Sequence, residues 1–307
     1  MLKYLKIAIF FFILFSLYGC VDHNKEKVVK IVFVGDLLLD RGIRQRIEHL
    51  GIDGLIDVSV DAVFKKHDFV LANLECPATK IVQPINKKYI FRSEPEWLAY
   101  LKKSGITHLN MANNHSMDQG RSGLTDTHDQ IKQHGLIPLG FGENATQACN
   151  EVLLATEPRN IYVLSSLQVP SENWTYLPDE PCVCEESFDD IEERIKDIKS
   201  ERPDAFIIVQ LHWGFEHTLK PVLSQKQQAY QLIDAGADCI IGHHTHTIQT
   251  LEWYREKPIY YSIGNFIFDQ AAPINSKGLM VKMEISKSTV IFDTTSFTID
   301  KDIPKLN

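Results

Sequence analysis

Short apolar runs that end in polar residues recur along this chain. The segments VVKIVFVGD (28–36), FVLANLE (69–75), THLNMANN (107–114), NIYVLSSL (160–167), AFIIVQLHW (205–213) and ADCIIGHH (237–244) are of strand length and rich in aliphatic residues. Between them, apolar positions return with helical spacing over Ser59–Lys66, Glu94–Lys103, Gly120–Gln133, Phe188–Lys199 and Ser224–Asp234. Ser104-Gly105, His134-Gly135 and Ala235-Gly236 follow three of these, as a left-handed helix end prefers. Strand and helix in alternation predict an α/β protein with helices on the sheet faces. Beyond Leu251 the helices stop: KPIYYSIGNFIF (257–268), GLMVKMEI (278–285) and TVIFDTTSFTI (289–299) predict antiparallel strands completing a mixed or second sheet. Val169–Glu186, rich in Pro and acidic residues, reads as an insertion or mobile segment.

The first twenty residues follow another rule. MLKYLKIAIFFFILFSLYGC places Lys3 and Lys6 before an apolar run, Ile7–Phe15, that is short for a bilayer span, and then small and polar residues, the layout of a secretory signal peptide. Leu17-Tyr18-Gly19-Cys20 resembles the bacterial lipobox, with Tyr18 where a small residue is usual. The expectation is a signal peptide over 1–20, lipid on Cys20, a tether over 21–29 and one domain over 30–300. Such a protein is lipid-anchored at the cell membrane on its extracytoplasmic face; an uncleaved signal anchor is the alternative. Export bears on the cysteines, since Cys76, Cys149, Cys182, Cys184 and Cys239 then remain in a compartment that can oxidise thiols. Cys182-Val183-Cys184 lacks the spacer of a zinc ribbon. A disulfide from that loop to Cys149 stays open, and Cys76 and Cys239 read as buried thiols. A net charge of −8 leaves no dense basic face for duplex binding, so no nucleic-acid partner is expected.

Open α/β sheets bind ligands at the carboxyl ends of their strands. Here Asp36, Asn73 and Glu75, Asn113 to His115, His212, and His244 with His246 stand at five such ends. Singly each has a structural reading: Asp36 as a helix cap, the asparagines as turn residues, His212 as a core histidine, Glu75 as half of an ion pair. Together they offer the oxygen and imidazole donors that a divalent ion takes from separate parts of a chain. His244 and His246 are two apart, so extended backbone aims both to one side and His243 to the other.

Six motifs in order carry a family resemblance: Gly35-Asp36-Leu37-Leu38-Leu39-Asp40-Arg41, Asn73-Leu74-Glu75-Cys76-Pro77, Ala112-Asn113-Asn114-His115-Ser116-Met117-Asp118-Gln119-Gly120, Leu211-His212-Trp213-Gly214-Phe215-Glu216, Gly242-His243-His244-Thr245-His246 and Tyr261-Ser262-Ile263-Gly264-Asn265-Phe266-Ile267-Phe268-Asp269-Gln270. Over about residues 30–285 the chain resembles the CapA capsule-synthesis family linked to poly-γ-glutamate. The resemblance implies a four-layer sandwich like that of calcineurin-like metallophosphoesterases, two mixed β-sheets flanked by helices. It implies a divalent metal, Mn, Zn or Fe, on Asp36, Glu75, Asn114, His212, His244 and His246, with His115 as proton donor. Asn113, Trp213, Glu216, Asn265 and Asp269 become candidates for substrate contact or ligand support. The implied partners are the membrane, an anionic polymer such as poly-γ-glutamate, and capsule synthase or export subunits. Leu38 departs from the His that phosphoesterases usually carry there, which weakens one metal position, and Thr245 replaces the family's usual Pro. Three readings stay open: a capsule-polymer protein with a hydrolase-like metal site, an exported metallophosphoesterase, and a non-catalytic polymer-binding or synthase subunit.

Overall fold

A computed structural model describes residues 26–170, 172–270 and 272–306; the expected signal peptide, Cys20 and most of the tether lie outside the described residues. Among the described residues, two large sheets stack between helices. The first has the strand order β16-β15-β14-β1-β2-β3-β4, with β13 also on β1, and the second the order β11-β12-β10-β9-β7-β6. In the first sheet β1 (Val29–Leu37), β2 (Phe69–Leu74), β3 (His108–Asn110) and β4 (Ile137–Leu139) run parallel, and β14 (Lys277–Ile285), β15 (Val290–Asp300) and β16 (Ile303–Leu306) extend it antiparallel. In the second, β7 (Ile161–Leu167), β9 (Phe206–His212), β10 (Cys239–His243) and β12 (Lys257–Tyr260) are parallel, with β6 (Val152–Ala155) and β11 (Leu251–Tyr254) antiparallel at the edges.

Period-2 alternation in strands buried on both faces builds the layers. From β1, Ile31 and Phe33 point between the sheets and meet Ile161, Phe206, Ile208 and Ile241. Val32 and Val34 point the other way, onto Ile43 and Ile47 of α1 (Arg41–Leu50), Val60 and Phe64 of α2 (Val58–Phe64), Leu98 and Leu101 of α3 (Leu98–Lys103), and Leu124 and Ile131 of α4 (Gly120–Gln133). The outer face of the second sheet is covered by Ile191, Ile195 and Ile198 of α6 (Phe188–Glu201) and by Ala229, Leu232 and Ile233 of α7 (Leu223–Ala235), leaving α5 (Ala145–Ala148) as a single turn. The result is the expected α/β sandwich with two mixed sheets.

Several details differ from the sequence reading. The helix expected from Glu94 begins at Leu98, because Pro95 to Trp97 form a 3-10 turn. The segment expected as one antiparallel strand, 257–268, divides: β12 lies parallel to β10, the chain crosses at Gly264 with φ +73°, and β13 (Asn265–Ile267) lies parallel to β1. The acidic loop 169–186 is tied down by a Cys149–Cys184 disulfide and by β8 (Cys182–Val183) pairing with β5 (Phe141–Gly142). Cys76, Cys182 and Cys239 are buried free thiols. Among the described residues no helix is long and apolar enough to cross a membrane.

Candidate metal centre

Two glycines bring the strand ends close enough to share a site. A side chain on Gly35 would put its Cβ 1.8 Å from the Gly264 carbonyl oxygen, and one on Gly242 would lie 1.9 Å from that of Tyr261. Both strands therefore press against the crossing 261–264, which only glycine permits. Asp36, one residue beyond Gly35, donates its backbone N–H to Gly264 O at 3.1 Å, while Asn265 lies opposite Asp36 in the β1–β13 register.

Around that crossing the polar strand ends meet. One donor atom each from Asp36, Glu75 and His212 lie within 4.8 Å of one another, and all three residues are buried. Asn114 Oδ1 is 2.9 Å from His212 Nε2, and His244 Nδ1 is 3.1 Å from the same nitrogen. His246 Nδ1 lies 2.9 Å from Asn265 Oδ1 and 3.3 Å from Asp36 Oδ2, and its Nε2 lies 3.6 Å from Glu75 Oε1. The six expected ligand residues thus share one cluster, and Asn265 supports one of them. Asn73 holds the cluster from behind, its amide N–H groups reaching Asp36 Oδ1 at 2.8 Å, His212 Nδ1 at 3.3 Å and Glu75 Oε2 at 3.4 Å.

Strand alternation does not set the directions of the three histidines. Strand β10 ends at His243, and His244 and His246 have φ of +89° and +56°, so a turn rather than extended backbone presents them. His243 does not face away from the cluster. It is fully buried, with Nδ1 3.2 Å from Asp36 Oδ1 and Nε2 3.0 Å from Gln210 Nε2, and so fixes the first carboxylate. Trp213, expected beside the site, points to the opposite face of β9 into the outer core, donating its indole N–H to Tyr261 O at 2.8 Å. Asn113 is buried as well, donating to Leu74 O and Asn73 Oδ1 and accepting the His115 N–H, so it shapes the turn.

The electrostatics separate the two carboxylates. Burial alone would raise Asp36, but hydrogen bonds and charge from His243 and His246 outweigh it and hold it well below the usual range. Burial pushes Glu75 well up, and the neighbouring Asp36 charge pushes it further. Burial also drives His212 well down and His244 down to about 4, leaving both imidazoles neutral. His115 is lowered by burial against the opposing pull of Asp118. Its Nδ1 is 2.7 Å from Asp118 Oδ2, and Lys87, which sequence reasoning passed over, reaches Asp118 Oδ1 at 3.1 Å.

Beside the cluster opens a cavity of about 130 Å³, lined by Arg41, Tyr89, His115, Glu216, His217 and His246 among others. Glu216 thus sits at its wall, as expected, while Asp269 stands outside and grips Arg41 through both carboxylate oxygens. Arg41, Lys87, Asp118 and His217 are the residues that spacing alone did not single out, although Arg41 closes the first of the six motifs and Asp118 falls within the third.

With this geometry in place, the comparison with known proteins is specific. The family described as Bacterial capsule synthesis protein PGA_cap matches residues 30–270. The chain belongs to the PGA_cap family. It is 29% identical to the Capsule biosynthesis protein CapA of Bacillus anthracis, over 93% of this chain and 71% of that one. To the PGA biosynthesis protein CapA of Bacillus subtilis it is 30% identical, over 91% and 74%. Among solved structures, this PGA_cap protein resembles the NAD nucleotidase of Haemophilus influenzae with a TM-score of 0.55 at 11% identity, over 89% of this chain and 56% of that one. Sulfate thiohydrolase SoxB of Thermus thermophilus gives 0.51 at 10% identity, over 87% and 56%. At such identities these neighbours establish the metallophosphoesterase-like fold alone.

Proposed function

We propose that this PGA_cap protein is held by lipid on Cys20 at the extracytoplasmic face of the cell membrane. There it acts in the synthesis, export or attachment of poly-γ-glutamate or a similar anionic capsule polymer, through a divalent-metal-dependent, hydrolase-like site. One observation carries the metal reading: Glu75 Oε1 is buried with no hydrogen-bond partner among the described residues, beside a second buried carboxylate. His246 Nε2, at 3.6 Å, is the counter-charge to Glu75 but lies beyond hydrogen-bond reach, so the buried carboxylate stays costly and a cation resolves the cost. The donor set fits: Asp36, Glu75 and Asn114 offer carboxylate and amide oxygens and His212 and His244 neutral imidazoles, while His246, which burial lowers but the Glu75 and Asp36 charges raise to about 9, releases its proton when it binds a metal. The signal-peptide layout supports export, and the relatives named for capsule and PGA biosynthesis support the polymer.

These six residues would hold a divalent ion, which would supply polarisation of a carbonyl or phosphoryl oxygen and acidification of water. The chain's own residues handle orientation and protons. Asp118 accepts from His115 Nδ1–H, which fixes the tautomer and leaves Nε2 to give or take a proton at the cavity wall. Phe91 stacks on the His115 ring at 4.1 Å and holds its plane. Asn73 and His243 orient Asp36 from behind, as hydrogen-bonded supports of a ligand do. An exported metallophosphoesterase is the weaker reading, because Leu38 is wholly buried in the apolar core where that class carries a further His.

The test is metal content, melting temperature and turnover of the purified full-length chain in detergent. Roughly stoichiometric Mn, Zn or Fe is expected, and metal at a hundredfold above its dissociation constant stabilises by about 2.7 kcal/mol. Asp36→Asn should lose both the metal and the rise in melting temperature. Metal-loaded protein should shorten or transfer poly-γ-glutamate, and His115→Ala should stop this with metal retained. Cleavage of a simple phosphodiester alone would favour the phosphoesterase, and metal without turnover a polymer-binding subunit.

A further inference from the structure

Arg41 stands at the wall of the His115–His246 cavity with φ +52°, a left-handed conformation that residues other than glycine seldom hold without a reason. Its guanidinium is fixed from three sides. Asp269 takes Nε at 3.0 Å and also accepts from Nη2, and the same carboxylate receives the Gly42 N–H at 3.0 Å. The ring of Phe91 lies 5.3 Å from the guanidinium carbon and that of Phe268 5.6 Å. These rings also pack on the histidines of the site, Phe91 on His115 at 4.1 Å and Phe268 against His246 at 4.6 Å. The position of the cation is therefore coupled to both.

Asp269 occupies only one edge of the guanidinium. A guanidinium carries five N–H donors in a planar fork, and among the described residues no acceptor takes those on Nη1. We infer that Arg41 is the oxyanion-recognising residue of this site, its free edge binding the paired oxygens of a carboxylate or phosphate on the substrate. An ion pair kept for stability alone needs neither the strained backbone nor a place at the cavity wall. Glu216 lines the same cavity and repels an anion, so the bound oxyanion is directed to Arg41. A cavity of about 130 Å³ admits a single residue-sized group rather than a folded polymer. Resting on the proposed function, the group is the free α-carboxylate that every γ-linked glutamate unit retains; phosphate shares the chemistry.

The experiment is calorimetric titration of the full-length chain in detergent with three probes: a γ-linked glutamate tetramer, the same tetramer with its α-carboxylates as amides, and inorganic phosphate. The wild type should bind the acid at least about tenfold more tightly than the amide, the usual scale of a charge-assisted bidentate contact. Arg41→Gln should abolish that discrimination, and Arg41→Lys, which keeps charge but loses the fork, should retain part of it. Melting curves report whether the variants fold. Should Arg41→Gln not fold, Asp269→Asn, which frees the guanidinium while leaving its charge, should bind the acid several-fold more weakly. Binding of phosphate but not of the tetramer, lost in Arg41→Gln, would keep the oxyanion role and overturn the polymer reading. A wild type that neither prefers acid to amide nor binds phosphate would overturn the inference, as would a folded Arg41→Gln that discriminates like the wild type.

Discussion

Asp118 and Lys87 form an ion pair whose side chains are 0% and 2% exposed, deep under the loop that passes the cavity. Asp118 accepts three hydrogen bonds: from Lys87 Nζ at 3.1 Å, from the Phe91 N–H at 2.7 Å and from His115 Nδ1 at 2.7 Å. Lys87 also donates to the Asn114 carbonyl at 2.6 Å, so one ammonium ties loop 80–92 to the turn that carries two site residues. Asp118→Asn keeps the shape but strands the Lys87 charge. Removing one partner of a buried pair costs about 3–5 kcal/mol, and the retained amide oxygen puts this variant near about 3 kcal/mol. At about 2–4 °C per kcal/mol for a domain of this class, the melting temperature should fall by roughly 6–12 °C. Lys87→Met should cost less, about 1–3 kcal/mol, because Asp118 keeps two donors. The decisive protein is the double variant, which buries no charge. Urea unfolding of all four proteins, followed by far-UV circular dichroism, should show it more stable than the summed single losses, with a coupling of about 2 kcal/mol. Additivity to within about 0.5 kcal/mol would refute the pairing. A second readout is the His115 tautomer by nitrogen NMR, with the proton on Nδ1 in the wild type and redistributed in Asp118→Asn.

Two further expectations concern stability. The Cys149–Cys184 bridge closes a separation of 35 residues, which in the chain-entropy description stabilises by about 4 kcal/mol; paired Cys→Ser replacement should lower the melting temperature accordingly, and an unchanged melting curve under reductant would count against the bridge. Burial and the nearby Lys102 charge drive His108 down to about 4 from its ordinary 6.5. The unfolded chain therefore binds a proton between those values that the folded one refuses, so stability is full above pH 6.5 and is lost as pH falls toward 4. The loss amounts to at most about 3 kcal/mol. His108→Phe, packed against Phe69 as the imidazole is, should flatten the pH dependence of the unfolding midpoint over that window, and an unaltered slope would reject the assignment.

The residues that could be read in advance are those whose type is costly where the pattern puts it. Glu75 lies between Leu74 and Cys76 at the end of an apolar run, and such a carboxylate demands a partner wherever the strand is placed. Strands β1, β2, β9 and β10 were legible because both faces are buried, so their runs are nearly continuous. Helix α1 was not, since only Ile43 and Ile47 mark its buried face among charged neighbours. Alternation misled at His243 because it was extended past the last residue of β10. What no periodicity encodes is the crossing 261–264. There the backbone leaves the second sheet for the first, and its carbonyls occupy the space that side chains on Gly35 and Gly242 would need. Those two glycines immediately precede Asp36 and His243, so the same contact that forbids a Cβ sets the distance between the first carboxylate and the histidine turn. Asp36 and the histidine turn converge because their strands are pinned to one stretch of backbone, and Gly35, Gly242 and Gly264 are the marks this leaves in the sequence.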